Sequence, residues 1–268
     1  SLLRPRTVKK VIERVPNVSE GRDLAVIKQI TDVIESVQGV DLLDVDPGES
    51  TNRTVVTFIG EPEPVKEAAF RAVQKAAELI DMSHHKGEHS RFGATDVCPF
   101  VPVSNATMEE CAEIARQVGR RIGEALNIPV YLYEHAASRP ERQNLAKVRA
   151  GEYEGLQKKL AHPEWKPDFG PAVFNPGAGA TAVGAREILI AYNINLNTTD
   201  RRYANEIAYE NRDRGSWNPT ANESPYYYNG DVDYFATGNN PDNPDRYVRG
   251  VADGNFSLVG RHDVVVCC

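Results

Sequence analysis

Helical and strand periodicities alternate through the first half of this chain, and that alternation limits the fold more than any single motif does. Val26, Ile30, Val33 and Val37 recur at steps of three and four. So do Val65, Ala69, Val73, Ala76 and Ile80, and again Cys111, Ile114, Val118, Ile122 and Leu126. Each set marks the apolar face of a helix. Between them lie runs rich in β-branched and aromatic residues: Val8 to Val15, Val40 to Val45, Thr54 to Ile59, Val97 to Val103 and Val130 to Tyr133. These read as strands. The order β-α-β-β-α-β, followed by an extra helix and strand, predicts an α/β chain of the α+β sandwich kind with a ferredoxin-like N-terminal subdomain.

Local signals set the expected boundaries. Ser19 is a candidate cap for a helix over Arg22 to Val37. Asp46-Pro47-Gly48-Glu49-Ser50 has the composition of a turn. Pro62 and Pro64 open a helix over Glu63 to Ile80. Thr107 and Glu110 form a capping box for the third helix. Arg139 to Leu160 reads as a polar helix, and Ala172 to Arg186 is small and glycine-dense. Glu187 to Leu196 reads as an apolar strand opening a second unit, with a helix over Thr199 to Arg212 behind it. From Gly215 to about Gly260 Asn, Asp, Pro, Gly and Tyr dominate, which predicts an irregular tail, either a long connection or a partly disordered stretch. The expected division is therefore 1–188 for the first subdomain. Residues 189–268 form an incomplete, divergent second α/β subdomain.

Charge and apolar content exclude several function classes. A net charge of −7 does not supply the basic face of a nucleic-acid binder. No apolar run approaches the roughly 20 residues that span a bilayer, so no membrane association is expected. Ser1 to Lys10 is basic but has no apolar segment behind it and does not read as a secretory signal. Cys98 and Cys111 fall in apolar patterns and read as buried small hydrophobes, Cys267 and Cys268 are adjacent, and no Cys-x-x-Cys pair suggests zinc. A reducing cytoplasm is the expected compartment.

The stretch from His84 to Asp96 packs three histidines, two acids, two bases and two glycines between a helical and a strand pattern. Imidazole can take and give a proton near neutrality, and glycine permits close backbone approach. Two chemistries suit it. His85-x-x-Glu88-His89 matches the H-x-x-E-H pattern of one metalloprotease class, which needs a helix to set both rings one turn apart; Gly87 disfavours that helix. The other is metal-free acid–base work by His89, its ring oriented by Glu88 or Asp96. Arg53 and Arg91 could fork a substrate carboxylate, and Asp46 could face a cationic group. The run Gly170-Pro171-Ala172-Val173-Phe174-Asn175-Pro176-Gly177-Ala178-Gly179 suits a flat heteroaromatic ligand, and would suit a structural crossover nearly as well.

The chain resembles the formiminotransferase domain of glutamate formimidoyltransferases and of formimidoyltransferase-cyclodeaminases. The resemblance is carried by Val15-Pro16-Asn17-Val18-Ser19-Glu20-Gly21, Leu42-Leu43-Asp44-Val45-Asp46 and Ser50-Thr51-Asn52-Arg53-Thr54-Val55. Gly87-Glu88-His89 with Arg91 and Gly93, Asp96-Val97-Cys98-Pro99-Phe100 and Pro129-Val130-Tyr131-Leu132-Tyr133 continue it. Arg149-Ala150-Gly151-Glu152-Tyr153-Glu154, Pro167-Asp168-Phe169-Gly170-Pro171 and Asn193-Ile194-Asn195-Leu196 complete it. It implies transfer of a formimino group from N-formimino-L-glutamate to tetrahydrofolate as co-substrate, in histidine breakdown and one-carbon metabolism, without a metal. It also implies a homodimer. His89 falls on the family's catalytic histidine and Gly170 to Gly179 on its folate-binding segment. Asp46, Asn52, Arg53, Arg91 and Asp96 are the residues expected to bind substrate. Because Gly215 to Cys268 departs from the family's pattern, a folate-binding protein without catalysis stays open beside the transferase. So does an H-x-x-E-H zinc hydrolase.

Overall fold

The structure, a computed structural model, describes residues 9–188 in full. Further on it describes the strands at 193–196, 233–237, 247–251, 256–258 and 264–267. Two units are distinguished, Ser1–Ile188 and Leu189–Cys268.

The first unit runs β1 (Val11–Arg14), β2 (Asn17–Val18), α1 (Leu24–Glu35), β3 (Val40–Gly48), β4 (Arg53–Gly60), α2 (Pro62–Leu79) and β5 (Thr95–Ser104). It continues with α3 (Met108–Leu126), β6 (Val130–Glu134), α4 (Leu145–Arg149), α5 (Glu152–Leu160) and β7 (Thr181–Ala185). β1 and β2 act as one strand interrupted at Val15-Pro16, since proline cannot donate to a ladder. Both pieces pair antiparallel with β4 on one side and β5 on the other. β3 lies antiparallel on the outer side of β4. These strands with α1 and α2 make the ferredoxin-like sandwich. β7 then inserts between β5 and β6, parallel to both.

Each face of this sheet carries its own core. On one side α1, α2 and α3 bury Ile30, Ile34, Val65, Phe70, Val73, Val118 and Ile122 against Ile12, Phe58, Phe100 and Val183. On the other, α4 and α5 cover Phe92, Val97, Tyr131 and Tyr133 with Val148, Leu156 and Leu160. A fully buried side chain of this size contributes about 1.5–3 kcal/mol. Cys98 and Cys111 are buried unpaired thiols. Burial pushes both up, Cys111 to about 11, so neither is reactive. Arg14, also fully buried, lies over the Phe100 ring and donates to the Cys98 carbonyl.

Several boundaries differ from the sequence expectation, each for a local reason. The cap of α1 is Asp23, whose carboxylate accepts from Ala25 and Val26; Ser19 instead donates its hydroxyl to the Gly93 carbonyl at 2.7 Å. The expected turn from Asp46 to Ser50 is shorter, because β3 continues through Gly48 and the chain reverses over 49–52, with Asn52 at φ 46°. The polar helix over Arg139 to Leu160 is broken into a 3₁₀ turn (Pro140–Arg142), α4 and α5, with Gly151 at φ 87° between the last two. The capping box of Thr107 and Glu110 is formed as expected.

In the second unit the described strands are β8 (Asn193–Leu196), β9 (Asp233–Thr237), β10 (Tyr247–Val251), β11 (Phe256–Leu258) and β12 (Val264–Cys267). They form an antiparallel sheet in the order β8-β12-β11-β10-β9. The stretch read as an irregular tail thus contains three strands, β9 to β11, whose short lengths hid their period. The helix expected over Thr199 to Arg212 lies outside the described residues. Among the described residues no helix is long and apolar enough to cross a membrane.

Candidate functional site

β2 ends where β4 and β5 begin, because both are antiparallel to it, so three connections meet at one end of the sheet. They are the loop after β2, the turn of 49–52 and the histidine loop between α2 and β5. Asn52 ties them together. Its side chain accepts from the Gly21 N–H at 3.0 Å and donates to the Lys86 carbonyl at 3.0 Å. Its own carbonyl lies 2.8 Å from His85 Nε2. A Cβ at Gly87 would strike the Thr51 carbonyl, so only glycine lets the loop pass this close.

His85 is therefore part of the scaffold. Nε2–H donates to Asn52, and Nδ1 accepts from Arg91 Nε at 3.2 Å. Burial lowers its pKa below the ordinary value, consistent with a neutral ring. Both nitrogens are thus engaged, and 84–94 is not helical, so the one-turn spacing that H-x-x-E-H requires is not formed. His84 is exposed and pairs with Asp81 at 2.9 Å.

His89 sits half-buried against a charged cluster. Its Nδ1 is 2.8 Å from the Ser90 carbonyl and 2.9 Å from Arg53 Nη1. Asp96, at the start of β5 and fully buried, receives Arg53 Nη1 at 2.6 Å and Arg149 Nη1 at 2.9 Å on the same oxygen. Its other oxygen accepts from the Phe92 N–H at 3.2 Å. Arg53 also donates from Nε to Asn17 Oδ1 at 3.0 Å. Burial pulls the Arg53 pKa down to about 10, with the Asp96 carboxylate opposing that shift. Two cations and one anion thus share a nearly dry space, where such interactions are far stronger than in water.

Asp96 was expected to orient the ring or bind substrate. It reaches His89 through Arg53. Arg91 closes its fork on Glu154 and Glu152 of α5, and Asn52 is consumed by its clamp. Asp46 is exposed on β3, paired in register with Val55, which puts it on the sheet face that carries Arg53.

The segment Gly170–Gly179 runs directly beside the histidine loop. Gly93 and Gly179 form a bridge, Ala94 N–H donates to Ala178 at 2.8 Å, and Met82 N–H donates to Gly177 at 2.8 Å. A Cβ at Gly93 would overlap the Ala180 carbonyl. Phe174 is half-buried against Tyr153, ring centroids 5.3 Å apart, and Val173 is exposed. Tyr153 OH donates to the Pro176 carbonyl at 2.7 Å, while its N–H donates to Arg91.

Arg149 had been assigned no role. Its position in an apparently solvated polar helix concealed it, and only the break at Gly151 turns it inward. The available signal was the ordered stretch from Arg149 to Glu154, which supplies Arg149 to Asp96, Glu152 and Glu154 to Arg91, and Tyr153 to both loops.

A family profile described as "Formiminotransferase domain, N-terminal subdomain" matches residues 11–186. A glutamate formimidoyltransferase of Streptococcus pyogenes serotype M1 is 51% identical over 199 residues, covering 74% of this chain and 67% of that protein. A formimidoyltransferase-cyclodeaminase of Gallus gallus is 56% identical over 206 residues, covering 77% of this chain and 38% of that protein. The corresponding protein of Dictyostelium discoideum is 52% identical with the same coverage. The chain thus matches under two-fifths of the length of the cyclodeaminase relatives.

Proposed function

Since the chain belongs to the formiminotransferase-domain family, N-terminal subdomain, we propose that it transfers the formimino group of N-formimino-L-glutamate to N5 of tetrahydrofolate and releases glutamate. The amidine carbon is the electrophile. N5 attacks it and sheds a proton; the C–N bond to glutamate then breaks, and the departing nitrogen gains a proton. His89 takes the first proton and returns it in the second step, so one imidazole balances the reaction.

The observation that carries this reading is the adjacency of the His89 loop to the Gly170–Gly179 segment, bonded backbone to backbone through Gly93 and Gly179. An acid–base group and a surface of Phe174 and Val173 with small residues around them belong to one site. That surface suits a pterin, whose flat ring wants apolar contact and a few backbone hydrogen bonds. Asp46 faces the protonated amidine. Both arginines considered for a substrate carboxylate are paired within the chain, Arg91 with Glu154 and Arg53 with Asp96; Arg53, which lies against the His89 ring, is assigned that role through the part of its guanidinium that Asp96 does not occupy. The same reading makes the protein a cytoplasmic homodimer, the latter checked by its sedimentation mass.

The experiment is the absorbance assay for tetrahydrofolate-dependent turnover of N-formimino-L-glutamate, with and without chelator. Turnover insensitive to chelator, falling about 10²–10⁴-fold in His89→Asn with KM little changed, is expected. Near-normal turnover in that variant removes the role of His89. Folate binding without turnover makes the chain a binding protein, and zinc-restored turnover overturns the metal-free account.

A further inference from the structure

The chain enters α5 through two consecutive left-handed residues, Gly151 at φ 87° and Glu152 at φ 52°. Glutamate seldom takes that conformation, and such strain persists where surrounding contacts over-determine it. The contacts that hold this turn reach the candidate site. Glu152 and Glu154 hold the Arg91 guanidinium, and between them Tyr153 donates its N–H to the Arg91 carbonyl at 3.0 Å. The Tyr153 side chain serves the neighbouring segment. Its hydroxyl donates to the Pro176 carbonyl at 2.7 Å, and its ring lies against Phe174, centroids 5.3 Å apart and planes at 49°.

The Gly170–Gly179 segment is unevenly supported. Its far end is pinned: Asn175 accepts from the Gly179 N–H through its carbonyl and from the Ala178 N–H through Oδ1, while Gly177 and Ala178 accept from Met82 and Ala94. Residues 171–174 make no backbone hydrogen bond among the described residues, and Ala172 and Val173 are exposed. The apolar surface offered to a pterin therefore rides on the part with the fewest ties. Phe174 is held by packing at the edge of the α4–α5 core and by the Tyr153 ring. A loop that must be ordered by its ligand weakens binding, and a brace that orders it beforehand strengthens it. Burial, then the Asp81 and Glu154 carboxylates, raise the Tyr153 pKa, so the hydroxyl stays a donor.

We propose that Tyr153 is a positioning residue for the folate: its side chain orders the Phe174–Pro176 stretch before the ligand arrives and so sets affinity for the pterin, while its backbone ties the histidine loop. This rests on the transferase reading given above. The two duties can be separated by substitution. The N–H bond to Arg91 survives a change of side chain, so losing the hydroxyl or the ring loosens the folate wall and leaves the histidine loop tied.

The test uses the full chain, Tyr153→Phe and Tyr153→Leu. Calorimetry with tetrahydrofolate alone, kept anaerobic, gives a dissociation constant without turnover. Tyr153→Phe, which loses one hydrogen bond, should raise it about 3–10-fold. Tyr153→Leu, which also loses the ring contact, should raise it about 10–100-fold. In the assay the KM for tetrahydrofolate should rise in parallel, with kcat and the KM for N-formimino-L-glutamate nearly unchanged. Amide exchange without any ligand should quicken in both variants at Ala178 and Gly179, which donate to Asn175, and stay slow at residue 153.

An unchanged dissociation constant in Tyr153→Leu overturns the proposal. So does a fall in kcat with affinity for tetrahydrofolate intact, which would place the effect on the histidine loop. If Tyr153→Leu does not fold, Tyr153→Phe decides: a rise in the expected range supports the proposal and parental affinity overturns it. A parent that binds no tetrahydrofolate defeats the folate reading, and the proposed ligand with it. Unchanged exchange in Tyr153→Phe, where the parent does bind tetrahydrofolate, defeats the proposal alone.

Discussion

Arg91 and Glu154 meet fork to fork, with Nη1 2.9 Å from Oε2 and Nη2 2.7 Å from Oε1. The arginine belongs to the histidine loop and is 7% exposed, whereas the glutamate on α5 is 62% exposed. Water can replace the glutamate but not the arginine. Glu154→Gln should therefore cost under about 1 kcal/mol, as exposed pairs do. Arg91→Leu strands His85 Nδ1 as well, so a loss of about 1–3 kcal/mol is expected. Urea denaturation of the two variants checks the order; equal losses would contradict it.

Asp96 neutralises two buried guanidiniums through one oxygen. Asp96→Asn keeps the shape but leaves Arg53 and Arg149 facing each other without an anion. Breaking a buried pair on one side typically costs about 3–5 kcal/mol. A loss in that range is expected from denaturant melts, together with a large fall in turnover. A variant of parental stability would show that solvent already compensates these charges.

His85 gives the first unit a pH dependence. Burial holds its folded pKa below the ordinary value of about 6.5, so the ring stays neutral where the unfolded one takes up a proton. The unfolded state then binds more protons, and stability falls as pH drops below about 6.5, by at most about 1.4 kcal/mol per pH unit from this group. Above that pH the contribution is flat. Thermal melts from pH 7.5 to 5 should show the slope, and His85→Gln should flatten it.

Two glycines should respond in opposite ways to alanine. At Gly93 a Cβ would overlap the Ala180 carbonyl and lie 2.8 Å from the Ala178 carbonyl, both backbone atoms that cannot swing aside. Gly93→Ala should lower the melting point sharply or prevent folding. Gly155 lies in α5 with nothing within 4 Å of that position. Gly155→Ala should stabilise, by up to about 1 kcal/mol. Paired calorimetry of the variants checks both signs.

The sequence revealed those elements whose burial is one-sided. α2 and α3 show a helical stripe because one face meets the sheet and the other meets water, and β4 alternates for the same reason. β7 was illegible because all five of its residues are buried. With both faces covered there is no alternation to read, and at Gly184 even a methyl group would meet the Tyr133 ring. The histidine loop was legible because its composition is too costly for an idle connection. The pairing of Arg149 with Asp96 joins positions 53 apart, and no local pattern announces it. The arginines pointed toward substrate by residue type alone proved to be largely engaged by carboxylates of the chain itself.

The placement of β7 also bears on how the protein is made. β5 and β6 are complete by residue 134, yet the strand that joins them arrives at 181–185. Until then both present open edges, the kind that recruit other chains. The parallel insertion closes a long loop before any ladder bond is gained, which is a slow step in folding. The residues immediately ahead of β7 are those that lie along the histidine loop. Completion of this sheet and assembly of the candidate site are therefore one event, and a ribosome must release β7 before that site can form.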